Sequence, residues 1–339
     1  FMLPCLTLAG NGIKGKYTKE KKIAKAYIVN DNCALNVTNQ FGTIYVTTWD
    51  ENKTQIEVVI KVSGNNEEKV EKRLASIDVN IEATKAVVDA RTKIGSMSGN
   101  NLSMEINYTI KIPKKGSINL TNQYGGIITG KIYGKARINS QYGDVNIDEL
   151  NSDGNSINLQ YSDAAKINYM KSGDVTAQYS SFNLTKGNVL KIKGQYTDIK
   201  INEIQDLTYN TQYGGINVKK SGKASGTGDY SDIRFGYING IFNATCNYGN
   251  VVVDNLDKSV KNVAINTTYS NIIVHYPDDY AYDFEFYIEY GSLTGASSLK
   301  FTEKREKDNT NYYKGYYKNS GVNRVFIKSE YGDINLGRN

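Results

Sequence analysis

Few side chains in this sequence have the type and spacing to do chemistry. Asp144, Asp163, Asp198 and Asp232 recur two residues after a repeated tyrosine, so they could line one edge with carboxylates. Such a row could hold Ca²⁺, or it could serve a polysaccharide-cleaving site with a basic residue or a metal. Copies carrying Ser181 and Gly215 at the same place interrupt the row. Aspartate is also a turn former, which is the preferred reading. His275 is the only histidine, which leaves little room for a His-based triad or a His-rich metal site. It falls just after a predicted strand, beside Tyr276 and Pro277, and is read as structural or solvated. Cys5, Cys33 and Cys246 show no metal-type spacing, and Cys33 and Cys246 are expected to be free, buried thiols. No catalytic, metal or cofactor-binding residue is assigned, and no cofactor is expected. Trp49 is read as a packing residue, with a sugar platform as the alternative. The binding candidates are Tyr312, Tyr313, Tyr316 and Tyr317, amphipathic rings clustered in a charged segment. Packing of these four rings against the rest of the fold is the competing reading.

The elements that must position these residues come from a repeat. An aromatic residue, a small residue, a turn former and then an apolar residue recur from Phe41, Tyr124, Tyr142, Tyr161, Tyr179, Tyr196, Tyr213, Tyr230, Tyr248, Tyr269, Tyr290 and Tyr331. From Tyr124 to Tyr290 the steps are 18, 19, 18, 17, 17, 17, 18, 21 and 21 residues, and Tyr290 to Tyr331 is 41. A period near 18 predicts stacked coils that cannot bury their apolar faces alone. Four residues before the aromatic stand Leu120, Ile138, Ile157, Val175 and Ile192; two before stand small residues such as Ser140, Ala177, Gly194 and Cys246. Alternation along a strand then predicts that the repeated tyrosine also points inward. The residue just before it is Gln in seven copies, predicting an external amide ladder. After the turn, apolar residues return at plus three and plus five, as in Val145 and Ile147, and again near plus eight, as in Leu150. The expected fold is all-β: a right-handed parallel β-helix or β-solenoid of three-sided coils, each of roughly 18 residues. At about 3.3 Å per residue each coil has a perimeter near 60 Å, and about ten coils make a rod of roughly 50 Å.

The ends differ from the array. Phe1–Ala9 is apolar and ends in a small residue, like the remnant of a secretory signal peptide, with lipidation at Cys5 the weaker version. Residues 10–115 are expected to form a mixed, β-rich capping region with a short helix from Glu67 to Ile77, and residues 116–339 the repeat array. Residues 300–319 break the period and are read as an excursion, a hairpin, before the last coil. The net charge of +6, from 41 basic and 35 acidic residues, is dispersed. No nucleic-acid motif accompanies it, so nucleic acid is not an expected partner. No stretch after residue 10 is apolar and long enough to cross a membrane.

The order Asn39-Gln40-Phe41-Gly42-Thr43-Ile44, Thr48-Trp49-Asp50, Ile106–Pro113 and Asn122-Gln123-Tyr124-Gly125-Gly126-Ile127 resembles a bacterial family of putative adhesins of unknown function, related to the head-GIN putative autotransporter adhesins. The resemblance covers most of residues 30–339. It implies an extracytoplasmic, non-enzymatic array, and it brings no site residues; the long regular surface and the expected export lead to an adhesin or surface scaffold binding a glycan or a cell-surface protein. A polysaccharide lyase or hydrolase on a β-helix is the alternative.

Overall fold

The computed structural model describes residues 15–96 and 101–339. The Phe1–Ala9 stretch and Cys5 lie outside these residues. Among the described residues there are 25 strands and one helix, and every strand joins one large, mostly parallel sheet that does not close. Two rows of strands build it. In the row before the aromatic, Ile118–Gln123, Ala136–Gln141 and Asn155–Gln160 pair in parallel, which sets Gln123, Gln141 and Gln160 side by side. In the row after it, Ile127–Ile132, Val145–Leu150 and Ala165–Gln178 pair likewise. Further on, Ala165–Gln178, Ser181–Gln195 and Asp198–Ile238 each run through both rows.

Burial follows the expected apolar rows. Leu120, Ile138, Val145, Ile147 and Leu150 are fully buried. Cys33 and Cys246 are free and buried, and Cys246 occupies a small-residue place in the core. The row four residues before the aromatic is small where a neighbour is large. Tyr209 is buried in the core, and a side chain on Gly226 in the next repeat would meet its backbone oxygen at 2.2 Å and its ring at 2.5 Å.

The inward placement of the repeated tyrosines is overturned. All twelve repeated aromatics have positive φ, between 49° and 60°. A residue in that left-handed conformation breaks the strand alternation. Its side chain swings out, and the eleven tyrosines are 44–49% exposed. The next residue turns in instead: Ser162, Thr197, Ser231 and Ser270 are buried.

At one end, Tyr17–Ile28, Lys53–Gly64 and Leu102–Pro113 pair antiparallel, and Leu102–Pro113 joins Ile44–Trp49 in parallel. The helix Glu67–Ala75 begins with Asn66 accepting from the Lys69 N–H at 3.0 Å, and it buries Val70. A half-buried chain of hydrogen bonds ties this end together. The Thr92 hydroxyl lies 2.8 Å from Asn39 Oδ1 and 2.7 Å from the Tyr108 hydroxyl, and Asn39 Nδ2 donates to the Ile106 carbonyl at 2.9 Å.

At the other end, residues 300–319 do contain a hairpin, Lys300–Lys307 against Thr310–Tyr317. The coil that follows it in sequence is not the last one in space. Arg324–Glu330 lies between Asn262–Thr268 and Tyr282–Glu289, in parallel with both. Ile334–Arg338 likewise lies between Asn271–Tyr276 and Leu293–Thr294. The hairpin explains the order: Thr310–Tyr317 pairs antiparallel with the outer edge of Tyr282–Glu289, leaving only the inner edge for a parallel strand.

Two outcomes are expected. Gly226→Ala forces a clash on Tyr209 and should cost about 1–3 kcal/mol, read as a lower denaturant midpoint. Gly215→Ala, whose added carbon meets nothing nearer than 3.6 Å, should leave the midpoint nearly unchanged. Burial pushes the Tyr108 phenol up to about 12 and also raises Tyr280 and Tyr282. A raised phenol favours the folded, neutral form, so its stabilisation is complete below the unfolded value of about 10 and is lost as pH rises through the folded one. Thermal stability should therefore hold to about pH 10 and fall steeply between about 10 and 12, with Tyr108 contributing roughly 3 kcal/mol of the loss. Tyr108→Phe should make that fall shallower.

Candidate functional site

Each repeat places a ring at the same corner, so the rings stack. From Phe41 through Tyr124 to Tyr269, and then to Tyr331 and Tyr290, neighbouring ring centres are 4.6–5.2 Å apart and the planes differ by 2–13°. The strand spacing of about 4.8 Å fixes this pitch, and the ladder runs for roughly 50 Å. A left-handed L-residue costs about 1–2 kcal/mol. A stacked aromatic pair contributes about 0.5–1.5 kcal/mol beyond its buried area. With one pair per step, the stack offsets the corner, which explains why a large aromatic holds a place that usually favours glycine or asparagine.

The corner is held from inside by hydroxyls. Ser180, Thr197, Ser231 and Ser270 each donate to the carbonyl two residues back, at 2.8–3.0 Å, bridging their own left-handed tyrosine. The same oxygens accept N–H groups from the preceding repeat: Ser162 to Ser180, Ser180 to Thr197, Gly214 to Ser231 and Gly249 to Ser270. Outside, the predicted amide ladder is present beside the rings. Gln123 donates to Gln141 at 3.0 Å, Gln160 to Gln178 at 3.5 Å and Gln178 to Gln195 at 3.3 Å. Partial burial, followed by repulsion from neighbouring phenolates, raises Tyr230 and Tyr331 above the ordinary phenol range.

Asp144, Asp163, Asp198 and Asp232 are all exposed. Asp232 accepts from the Asn250 N–H at 3.0 Å. Among the described residues no three of His, Cys, Asp and Glu converge as a metal site would need. His275 sits in the strand Asn271–Tyr276, where its carbonyl accepts from the Leu256 N–H at 3.0 Å. Trp49 donates its indole N–H to the Lys53 carbonyl at 2.7 Å, and the ammonium groups of Lys53 and Lys111 stand 4.9 and 5.3 Å from its ring centre.

The four hairpin tyrosines divide by strand parity. Tyr313 and Tyr317 are buried, with hydroxyls donating to Glu306 at 2.7 Å and to the Asp278 carbonyl at 3.2 Å. Tyr312 and Tyr316 are half-buried on the opposite side of the strand. The Arg305 guanidinium covers the Tyr312 ring at 4.7 Å, and the Lys300 ammonium lies 5.4 Å from that of Tyr316. Tyr316 lines a groove of about 370 Å³ with Asp283, Glu285, Lys314 and Arg324. A hydrogen bond from the Tyr287 hydroxyl holds the Glu285 carboxyl below the usual range, and the same bond leads in pushing Tyr287 up to about 12. The hairpin therefore offers a mixed-charge groove with an aromatic wall. The external ring ladder was not read from the sequence. Its signal was the slip in apolar spacing, from even positions before the tyrosine to odd positions after it.

Parallel repeats, an outer ladder of rings and antiparallel strands at the ends define a solenoid-like all-β repeat protein. The chain belongs to the Toastrack DUF4097 family, whose model matches residues 11–337. Among solved structures it is similar to one named "putative adhesin" from Bacteroides fragilis NCTC 9343, at 18% identity over 74% of this chain and 96% of that one, with a TM-score of 0.30. It is also similar to "putative adhesin" structures from Parabacteroides distasonis ATCC 8503 (13% identity, 93% and 97% covered, TM-score 0.34) and Parabacteroides merdae ATCC 43184 (14%, 96% and 98%, 0.31). Among curated proteins nothing matches. At these scores no site is carried from one chain to another. No helix among the described residues is long and apolar enough to cross a membrane.

The corner argument makes an inverted prediction. Tyr196→Ala keeps the left-handed cost and loses two ring contacts, so it should destabilise by about 1–3 kcal/mol. Tyr196→Gly loses the same contacts but relieves the backbone, so it should be the milder change in equilibrium denaturation. In an ordinary strand position the order is the reverse.

Proposed function

We propose that this chain is an exported, non-enzymatic, right-handed β-solenoid of roughly 18-residue coils, acting as an adhesin or surface scaffold that binds a glycan or a cell-surface protein. Its place is extracytoplasmic: the periplasm, the outer surface or the medium. The apolar Phe1–Ala9 stretch and the family resemblance support export. The observation that carries the binding reading is the mixed-charge groove on the hairpin, walled by Tyr316 and set at the end of a rigid stack. In this reading Tyr312 and Tyr316 contact the ligand, while Tyr313 and Tyr317 anchor the hairpin. Aromatic and arginine side chains at such a place are the usual anchors of recognition. The ring ladder contributes length and stiffness, because its ring faces are already occupied by one another.

The alternative is a polysaccharide lyase or hydrolase. It needs carboxylates that converge on one bond, within several ångströms of each other. Asp144 and Asp163 fall in consecutive repeats, but repeats carrying Ser181 and Gly215 separate Asp198 and Asp232 from them and from each other.

The test is a glycan array and a cell-surface binding assay with the intact chain. Tyr316→Ala and Tyr312→Ala should each weaken capture by about tenfold or more while the circular dichroism and melting profile stay unchanged. Absence of binding across broad panels and cell types, or capture untouched by both substitutions, would count against the reading. Cleavage of acidic polysaccharides, with or without calcium, would favour the enzyme.

A further inference from the structure

The ladder brings phenols together in a way the binding reading does not use. Eleven tyrosine rings lie in line, each near-parallel to the next and nearly half exposed. Adjacent tyrosine rungs are held at centre distances of 4.6–5.1 Å by the sheet itself. Oxidative coupling of two phenols needs this kind of juxtaposition, because two short-lived radicals must meet before either is quenched. Holding the partners in place converts an encounter into a local event. The other readily oxidised groups in the core, Cys33 and Cys246, are buried away from a surface oxidant.

We propose that consecutive ladder tyrosines are a site of dityrosine cross-linking, driven by hydrogen peroxide through a haem peroxidase. Each of two neighbouring phenols gives up one electron and its hydroxyl proton to the oxidant, leaving two phenoxyl radicals with spin on the carbons ortho to oxygen. Those carbons form one C–C bond. Each ring then restores its aromaticity by moving the ring hydrogen at the new bond to oxygen. Two phenols and one peroxide thus give one dityrosine and two waters. The product staples repeat to repeat across the sheet and stiffens the stack covalently.

The fold makes the pattern specific. Phe41 has no phenol, so the Phe41–Tyr124 step cannot couple although its rings stack at 5.2 Å. Tyr331 sits between Tyr269 and Tyr290, at 4.6 and 4.7 Å, so Tyr269 and Tyr290 are each expected to couple to Tyr331 and not to one another. Tyr45 and Tyr133 are 38% and 41% exposed and stand outside the ladder, which makes them internal controls.

The experiment treats the intact folded chain with peroxidase and hydrogen peroxide at low protein concentration. It reads dityrosine fluorescence, the oligomeric state on a denaturing gel, and cross-linked peptides by mass spectrometry. The expected result is monomeric protein with links between adjacent rungs, including Tyr269–Tyr331 and Tyr331–Tyr290, at about tenfold or greater yield than any link at Tyr45 or Tyr133. Tyr196→Phe keeps the stack and should abolish only the two links to its neighbours. Treated protein should also unfold at higher denaturant. Links confined to pairs between molecules, links at Tyr45 or Tyr133 in equal yield, a Tyr269–Tyr290 link in place of the two to Tyr331, or no dityrosine at all would overturn the proposal. None of these outcomes depends on whether the hairpin groove captures a ligand.

Discussion

A left-handed residue at every repeat is the constraint on which the rest of this structure depends. The twelve repeated aromatics all sit at φ values of 49–60°. One such residue is a minor local cost. Twelve of them would be a heavy load on a fold whose net stability is only several kcal/mol, were nothing returned. The return comes from the sheet: equal corners lie one strand spacing apart, and that spacing is close to the separation aromatic rings favour when stacked. The backbone strain and the ring stack therefore require each other. A ring makes the corner tolerable, and the corner throws the ring outward where only its counterparts can cover it.

The interior answers the same constraint. The left-handed corner resets the alternation, so the following small residue turns in and its hydroxyl meets both its own chain and the N–H of the repeat before it. Copies with glycine there, such as Gly214 and Gly249, still have their N–H groups served by the next repeat's serine. The core then fills by complement, as Gly226 against Tyr209 shows. At the ends, where repeats have no further neighbour, the geometry changes. Antiparallel strands and a short helix lie at one end, and a hairpin covers the first-row edge at the other.

Much of this was legible in the sequence. The period, the apolar rows, the Gln ladder, the β-rich first part of the chain with its short helix at Glu67 and the hairpin all follow from spacing and residue type. The direction of the tyrosines does not, because strand alternation ends at a residue that is not in strand conformation. The shift from Ile138 and Ser140, at even distances before Tyr142, to Val145 and Ile147, at odd distances after it, marks that break. The order of the final coils was also hidden. A period tells how far apart repeats lie along the chain, and it says nothing about which edge of the stack a later repeat takes. The candidate site was legible as a tyrosine-rich excursion. Its division into two buried anchors and two groove-side rings needed the hairpin's register.

The wedged coil has a consequence for how the molecule comes together. Because Arg324–Arg338 separates two segments made before it, the stack cannot simply zip up from the first repeat as chain emerges from the ribosome. Tyr282–Thr294 has no native berth until the later segment has threaded beneath it. Completion of this end therefore waits on Arg324–Arg338, while Tyr282–Glu289 and the hairpin can pair with each other beforehand. The final repeat acts as a keystone: drawn out, it would leave the terminal coil and its hairpin with nothing to rest on.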